Sequence, residues 1–232
     1  MSEPSVHQRF EREVRGSQAQ RASEKPAARL RHALGWQALL GLLRGLMRLP
    51  HAPAEDRRVL EQILRQYATD GEFASLLLVG CPWYTRHYQK SYFAHHDYWT
   101  LEASESARKY GGRQHVIAPL ERLDQFFPED YFDAIVCHDV GGVGLDTGEG
   151  CEIAFSQCHS RLRDGGHLVL GWDDVPGRRR IDLEQLVALQ RFGRLDFPGL
   201  GTWRHPTATR HRRTYDFYRK EASARATDAI ER

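Results

Sequence analysis

Leu76-Leu77-Leu78-Val79-Gly80 is an apolar run ending in glycine, and Asp97-Tyr98-Trp99-Thr100-Leu101-Glu102 ends in an acid 22 positions later. A short, wholly apolar run is the pattern of a strand buried on both faces. A strand that ends in glycine, with an acid-ended strand about 20 residues on, is the arrangement of a nucleotide-binding βαβ unit. The glycine lets backbone approach a ligand closely. The carboxylate can accept hydrogen bonds from ribose hydroxyls.

The rest of the chain alternates in the same way. Val59, Leu60, Ile63, Leu64 and Tyr67 repeat at helical spacing over Glu55–Thr69, and Asp70-Gly71 stops that helix. Strands are expected at Ser75–Gly80, Tyr98–Glu102, His115–Ile117, Phe132–His138, His167–Gly171 and Thr214–Arg219. Between them, helical segments are expected at Thr85–Phe93, Ser104–Tyr110, Leu120–Phe127, Glu149–Leu162 and Leu183–Phe192. The Glu149–Leu162 helix is expected to close on Asp164-Gly165-Gly166 as a glycine cap. Alternating strands and helices imply an α/β fold, a doubly wound, mostly parallel sheet with helices on both faces. Four segments follow: a flexible polar N-terminus over 1–28, N-terminal helices over 29–70, the α/β domain over 71–220 and a flexible tail over 221–232.

A chain of 232 residues with net charge +2 makes no strong electrostatic claim on nucleic acid. No signal-peptide core is present, so the four cysteines read as reduced thiols in a cytoplasmic protein, and their spacing fits no standard zinc site. Leu30–Met47 is leucine-rich and punctuated by Arg31, Arg44 and Arg48. It is shorter than the roughly 20 apolar residues a membrane span needs. Packing on the domain or on a second copy, and peripheral contact with a membrane surface, both stay open.

Four sequence features in order resemble the class I S-adenosylmethionine-dependent methyltransferases, a Rossmann-like family. The features are the strand-glycine turn, the acid-ended strand, Phe132-Asp133-Ala134-Ile135-Val136, and Cys158-His159-Ser160-Arg161-Leu162-Arg163-Asp164-Gly165-Gly166-His167-Leu168-Val169-Leu170. The likeness covers about Phe73 to Gly171 well. The family's first loop reads roughly Gly-x-Gly-x-Gly, whereas this chain has Gly80-Cys81-Pro82-Trp83-Tyr84-Thr85.

The resemblance implies S-adenosylmethionine as cofactor and a small-molecule acceptor, with methyl transfer to oxygen or nitrogen of a sugar, glycan or secondary metabolite. Gly80 would face the methionine part. Pro82 would narrow that approach, and Thr85 would supply a hydroxyl. Glu102 would hold the ribose. Ala118, Pro119 and Leu120 would lie at adenine, without the acid the family often places near Ala118. His138 and Asp139 would stand where methyl and acceptor meet. His138 is the first choice of base, since an unperturbed imidazole titrates near pH ~6.5. Asp139 or Asp146 would orient or replace it. Asp173, after Trp172, is a second base candidate. Trp83, Tyr84, Tyr88 and Trp203 would form an aromatic wall. The segment Leu195–Arg213 reads as a long loop that could close as a lid over an acidic substrate.

Two other readings compete. The single glycine of the first loop suits a methyltransferase-like protein that binds or scaffolds without catalysis. Glu102 also suits a nicotinamide-dependent oxidoreductase, although the second and third glycines of that fingerprint are missing.

Overall fold

The structure is a computed structural model and describes residues 54–138, 145, 147–175, 181–209 and 211–222. The expectations for 1–53, Asp139, the glycines of 141–144, Asp146, 176–180, Arg210 and 223–232 lie outside the described residues.

Five parallel strands form the heart of the sheet: β1 (Ser75–Val79), β2 (Asp97–Glu102), β3 (Gln114–Ile117), β4 (Phe132–Cys137) and β5 (Leu162–Asp173). The antiparallel β8 (Arg213–Lys220) pairs with β5. Two short strands, β6 (Phe192–Arg194) and β7 (Arg204–Pro206), pair with the other edge of β8. The order is β3-β2-β1-β4-β5-β8-β6 in an eight-stranded sheet. Chain progression reverses between β1 and β4, which creates a crevice beyond their carboxyl ends, where ligands of open α/β sheets bind.

Alternation along the strands decides what covers each face. Leu76, Leu78, Ala134, Val136, Val169, Tyr215 and Phe217 share a core with Val59, Leu60, Ile63, Leu64 and Tyr67 of α1 (Ala54–Thr69). The short α2 (Tyr88–Ser91) adds Tyr88 to the same core. Cys137, one residue out of phase with Val136, meets Cys158 of α3 (Gly148–Arg161). Helices therefore cover both faces. No helix among the described residues is long and apolar enough to cross a membrane.

The Phe-Asp-Ala-Ile-Val segment has a structural reason. Asp133 is buried at the amino end of β4 and accepts hydrogen bonds from the Ala74 N–H (2.8 Å), the Ser75 N–H (2.7 Å), the Ser75 hydroxyl (2.9 Å) and the Arg163 guanidinium. One carboxylate thus aligns the starts of β1 and β4 and anchors β5.

Three expectations are corrected. The helix before β5 ends at Arg161, and Leu162 is already extended (ψ 138°), so Asp164-Gly165-Gly166 is no helix cap. Phe132 pairs with Leu162 and Ala134 with His167, so residues 163–166 bulge out of the ladder, and Gly165 takes φ +76° in that bulge. The Leu183–Phe192 helix is broken: a 3-10 turn spans Leu183–Gln185, Leu186 is extended, and α4 (Val187–Gln190) is one turn long. The Glu152 carboxylate accepts the Val187 and Ala188 N–H groups at 2.7 and 2.8 Å, starting α4 late. The Leu195–Arg213 segment is packed down by β7, by buried Phe197 and by buried Thr207 and Thr209.

Candidate functional site

Gly80, Glu102 and His138 arrive at one level because Val79 pairs with both Leu101 and Cys137. Backbone bonds stitch these strand ends together: the Gly80 N–H to the Leu101 carbonyl (2.9 Å), the His138 N–H to the Val79 carbonyl (2.8 Å) and the Ala118 N–H to the Glu102 carbonyl (3.0 Å). Gly80 has φ +84°, and a Cβ there would stand 2.2 Å from the His138 carbonyl oxygen. Glycine is therefore required by the approach of two strand ends, whatever ligand is bound.

Glu102 organises the loop that follows. Its carboxylate accepts the Cys81 N–H at 2.9 Å and the Ser104 N–H at 3.2 Å. The carboxylate remains half-buried at the crevice. Each oxygen has two lone pairs, so acceptor capacity for ribose hydroxyls is left. Cys81 is buried, and burial followed by the nearby Glu102 charge pushes its thiol up to about 12, which makes it an inert packing group. Thr85 is turned inward. Its hydroxyl lies 2.9 Å from the Pro82 carbonyl and 3.2 Å from the Tyr110 carbonyl, and its N–H also bonds Pro82. The hydroxyl expected to compensate for missing glycines instead fixes the turn. Trp83 is exposed at the loop tip.

His138 is buried at the end of β4, with Nε2 2.7 Å from the Tyr84 hydroxyl. The Tyr84 and His138 rings meet edge to face at 6.1 Å, and Tyr215 stacks on the imidazole at 6.4 Å. Three groups from α1 complete the cluster. The Tyr215 hydroxyl donates to the Asp56 carbonyl (3.2 Å), Arg57 lies 5.4 Å over the Tyr84 ring, and Glu61 accepts from Arg57 Nε (2.7 Å) and the Tyr88 hydroxyl (3.3 Å). Sequence reasoning placed Tyr84 and Tyr88 in an aromatic wall but missed Arg57, Glu61 and Tyr215. The i, i+4 spacing of Arg57 and Glu61 was the one local signal.

Asp173 ends β5 on the same side of the sheet. The β5–β8 register places it opposite Arg213, whose Nε stands 3.0 Å from its carboxylate. Ala118 and Leu120 are buried after β3, beside exposed Pro119. Trp203 is elsewhere: it lies between Arg194 and Arg204, at 4.0 and 4.4 Å, on the β6–β7 edge. The basic residues of the expected lid are partly committed. Arg204 pairs with Asp216 and Glu184, and Arg212 with Asp174.

No protein-family model matches the chain, and no curated protein matches it in sequence. Solved structures do match. The N-methyltransferase NodS from Bradyrhizobium japonicum WM9 superposes with a TM-score of 0.55 at 17% identity, over 72% of this chain and 96% of NodS. The same enzyme in complex with S-adenosyl-L-homocysteine gives 0.55 at 18% identity, over 75% and 91%. The [4+2]-cyclase SpnF gives 0.51 at 15% identity, over 72% and 81%. The chain has the Rossmann-like fold of class I S-adenosylmethionine-dependent methyltransferases.

Proposed function

We propose that the protein is an S-adenosylmethionine-dependent methyltransferase acting on oxygen or nitrogen of a small-molecule acceptor. The observation that carries this reading is the Glu102 carboxylate at the crevice, held by the Cys81 and Ser104 amides beside the Gly80 turn. The residues fit the nucleoside half of the cofactor: Glu102 would receive the ribose hydroxyls, with Ala118 and Leu120 against the base. Gly80, Cys81 and Pro82 would border the methionine half.

The cofactor supplies an activated methyl group on a sulfonium. Much of the remaining work is alignment of the acceptor. His138, paired with Tyr84, would take the proton of a hydroxyl or amine acceptor as the new bond forms. Tyr84 and Tyr215 fix the ring plane. Asp139 follows in the chain as a second polar group, and Asp173 would bound the acceptor side.

A second reading has its own support. The Pro82–Thr85 turn is tightly bonded, and SpnF, named a [4+2]-cyclase, shares this fold. A methyltransferase-like protein that binds or scaffolds without catalysis is thus the alternative. Calorimetric titration with S-adenosylmethionine and S-adenosylhomocysteine, with NADH as control and Glu102→Ala as comparator, tests the proposal. Micromolar binding lost in the variant supports it. Absence of binding to both sulfur nucleosides overturns it. Binding without turnover across oxygen and nitrogen acceptors favours the second reading.

A further inference from the structure

We infer that, whatever the crevice holds, residues 83–113 dock this protein on an anionic lipid surface. Five basic residues fall in this stretch, Arg86, Lys90, Arg108, Lys109 and Arg113, against three acids. The fold commits all three acids. Asp97 accepts from the Tyr131 hydroxyl (2.6 Å) and from Trp99 Nε1 (3.0 Å). Glu102 accepts the Cys81 and Ser104 amides, and Glu105 is ion-paired with Arg108 at 2.6 Å. The other four cations are exposed and, among the described residues, make no salt bridge.

Two hydrogen bonds gather these cations from two parts of the chain. One part is the 3-10 turn at Thr85–His87 running into α2; the other is the turn at Glu105–Tyr110 and the residues that lead to β3. The Thr85 hydroxyl lies 3.2 Å from the Tyr110 carbonyl, which sets Arg86 and Lys109 beside this junction. The Gln89 side chain accepts the Arg113 N–H at 2.7 Å, which does the same for Lys90 and Arg113. Like charges held together without a counter-charge repel one another and gain when an anionic surface approaches. Trp83 opens the same stretch and is 48% exposed. An indole among cations is the composition of a membrane–water interface, where the ring sits at headgroup level and the cations meet lipid phosphates. A single-stranded nucleic acid asks for several open aromatic faces, whereas half-buried Tyr110 has Lys109 at 5.0 Å over its ring. The sequence carries a second signal of the same kind in Leu30–Met47, leucine-rich with Arg31, Arg44 and Arg48. Two weak signals in one chain give firmer attachment than either alone.

The test is sedimentation of the full chain with vesicles of phosphatidylcholine alone and of equal parts phosphatidylcholine and phosphatidylglycerol, at low and high salt. Binding to the mixed vesicles only, weakened by salt, is expected. Two paired variants, Lys90→Gln with Arg113→Gln and Arg86→Gln with Lys109→Gln, should each lower the ratio of bound to free protein by about tenfold or more. Their thermal midpoints should match the parent, since all four side chains are exposed. Should one pair fail to fold, the other still reads the patch. Absence of binding to either vesicle, or equal binding to both, overturns the inference. Unchanged binding in either folded pair places the lipid contact elsewhere in the chain and overturns it as well. Tighter binding to a single-stranded oligonucleotide than to mixed vesicles, lost in the same variants, gives the patch to nucleic acid instead. None of these outcomes touches the methyltransferase reading, which stands on S-adenosylmethionine binding.

Discussion

The Tyr84 hydroxyl lies 2.7 Å from His138 Nε2, and both residues are buried. Neither group has water to replace the other. Tyr84→Phe is expected to destabilise the fold by about 1–3 kcal/mol, because the imidazole nitrogen loses its partner while the ring volume is kept. In urea unfolding the midpoint should fall with an unchanged slope. The His138 Nε2 resonance in a 15N spectrum should move as its partner is lost. An unmoved resonance would separate the two groups in solution.

Glu102→Ala removes the acceptor of both the Cys81 and Ser104 amides. Glu102→Gln keeps one carbonyl oxygen. Amide exchange at Cys81 is expected to speed up strongly in the alanine variant and less in the glutamine variant. S-adenosylhomocysteine affinity should fall in the same order, by about tenfold or more for alanine, since charge-assisted bonds are the strong ones. Equal exchange rates in both variants would show that the loop holds itself.

Gly80→Ala demands a φ of +84° from an alanine and places its Cβ 2.2 Å from the His138 carbonyl oxygen. Strand ends must part to admit it. A loss of about 3 kcal/mol or more is expected in denaturant unfolding, beyond the backbone term alone. Gly148→Ala, where a Cβ would meet nothing within 4 Å, is the control and should change stability little.

These sites differ in how far sequence alone announces them. Gly80 and Glu102 are separated by one βαβ unit, so their spacing carries the meaning. The pairing of Tyr84 with His138 spans 54 positions and depends on β1 and β4 being neighbours, which no local pattern states. Asp173 looks available in sequence, and the antiparallel register puts Arg213 against it. The apolar runs of β1, β2 and β4 were legible because both their faces are buried. The strands β6 and β7 are three residues each, too short to show a period, and exist through pairing with β8. The broken 183–192 helix starts at Val187 because Glu152 of another helix caps it there.

Asp133 links stability to acid. Burial alone would raise its carboxyl, but bonds from the Ser75 N–H, Arg163, the Ser75 hydroxyl and the Ala74 N–H outweigh that and hold it below the ordinary range. An acid held low in the folded state stabilises fully above its unfolded pKa of about 3.9, and that contribution is lost as pH falls through the folded value. Asp133→Asn should cost about 3 kcal/mol at pH 7, since Arg163 and two N–H groups lose a charged partner. The gap between variant and parent should narrow on going to pH ~3, below the unfolded value, because the unfolded chain takes up a proton there before the folded carboxylate does. Urea titrations at both pH values measure it.

His167 acts in a higher window. It packs against Phe73 with ring centroids 4.9 Å apart, and Nδ1 lies 3.3 Å from the Tyr67 hydroxyl. Burial, then Arg219 and Arg163, lowers its pKa to about 4. The unfolded chain therefore binds a proton near pH ~6.5 that the folded chain refuses. Its contribution is complete above that value and is lost as pH falls toward 4. The thermal midpoint should drop across this interval, and His167→Gln should flatten part of the drop. His159, also lowered to about 4 by burial and then by Arg191 and Lys220, contributes over the same interval, as do His96 and His115, both lowered chiefly by burial. A midpoint curve of unchanged slope in His167→Gln would place the imidazole in water.

Asp216 is fully buried on β8, and three donors converge on it: Arg204 Nε at 2.7 Å, the second Arg204 nitrogen at 2.9 Å and Trp172 Nε1 at 3.0 Å. The bidentate pair raises the already high pKa of Arg204, so its charge is permanent. Arg204 also reaches Glu184 at 2.8 Å, joining β7, β8 and the 183–185 turn. Arg204→Met keeps the stem but strands a carboxylate without its cation, and a loss of about 3–5 kcal/mol is expected. The double variant Arg204→Met with Asp216→Leu removes both charges and should recover most of it. Binding of S-adenosylhomocysteine to the double variant should match the parent, because this network sits on β7 and β8, three strands from Gly80 at the end of β1 and four from Glu102 on β2. If instead the double variant keeps its stability and loses the ligand, Arg204 belongs to the binding site and the packed 195–213 segment takes part in it.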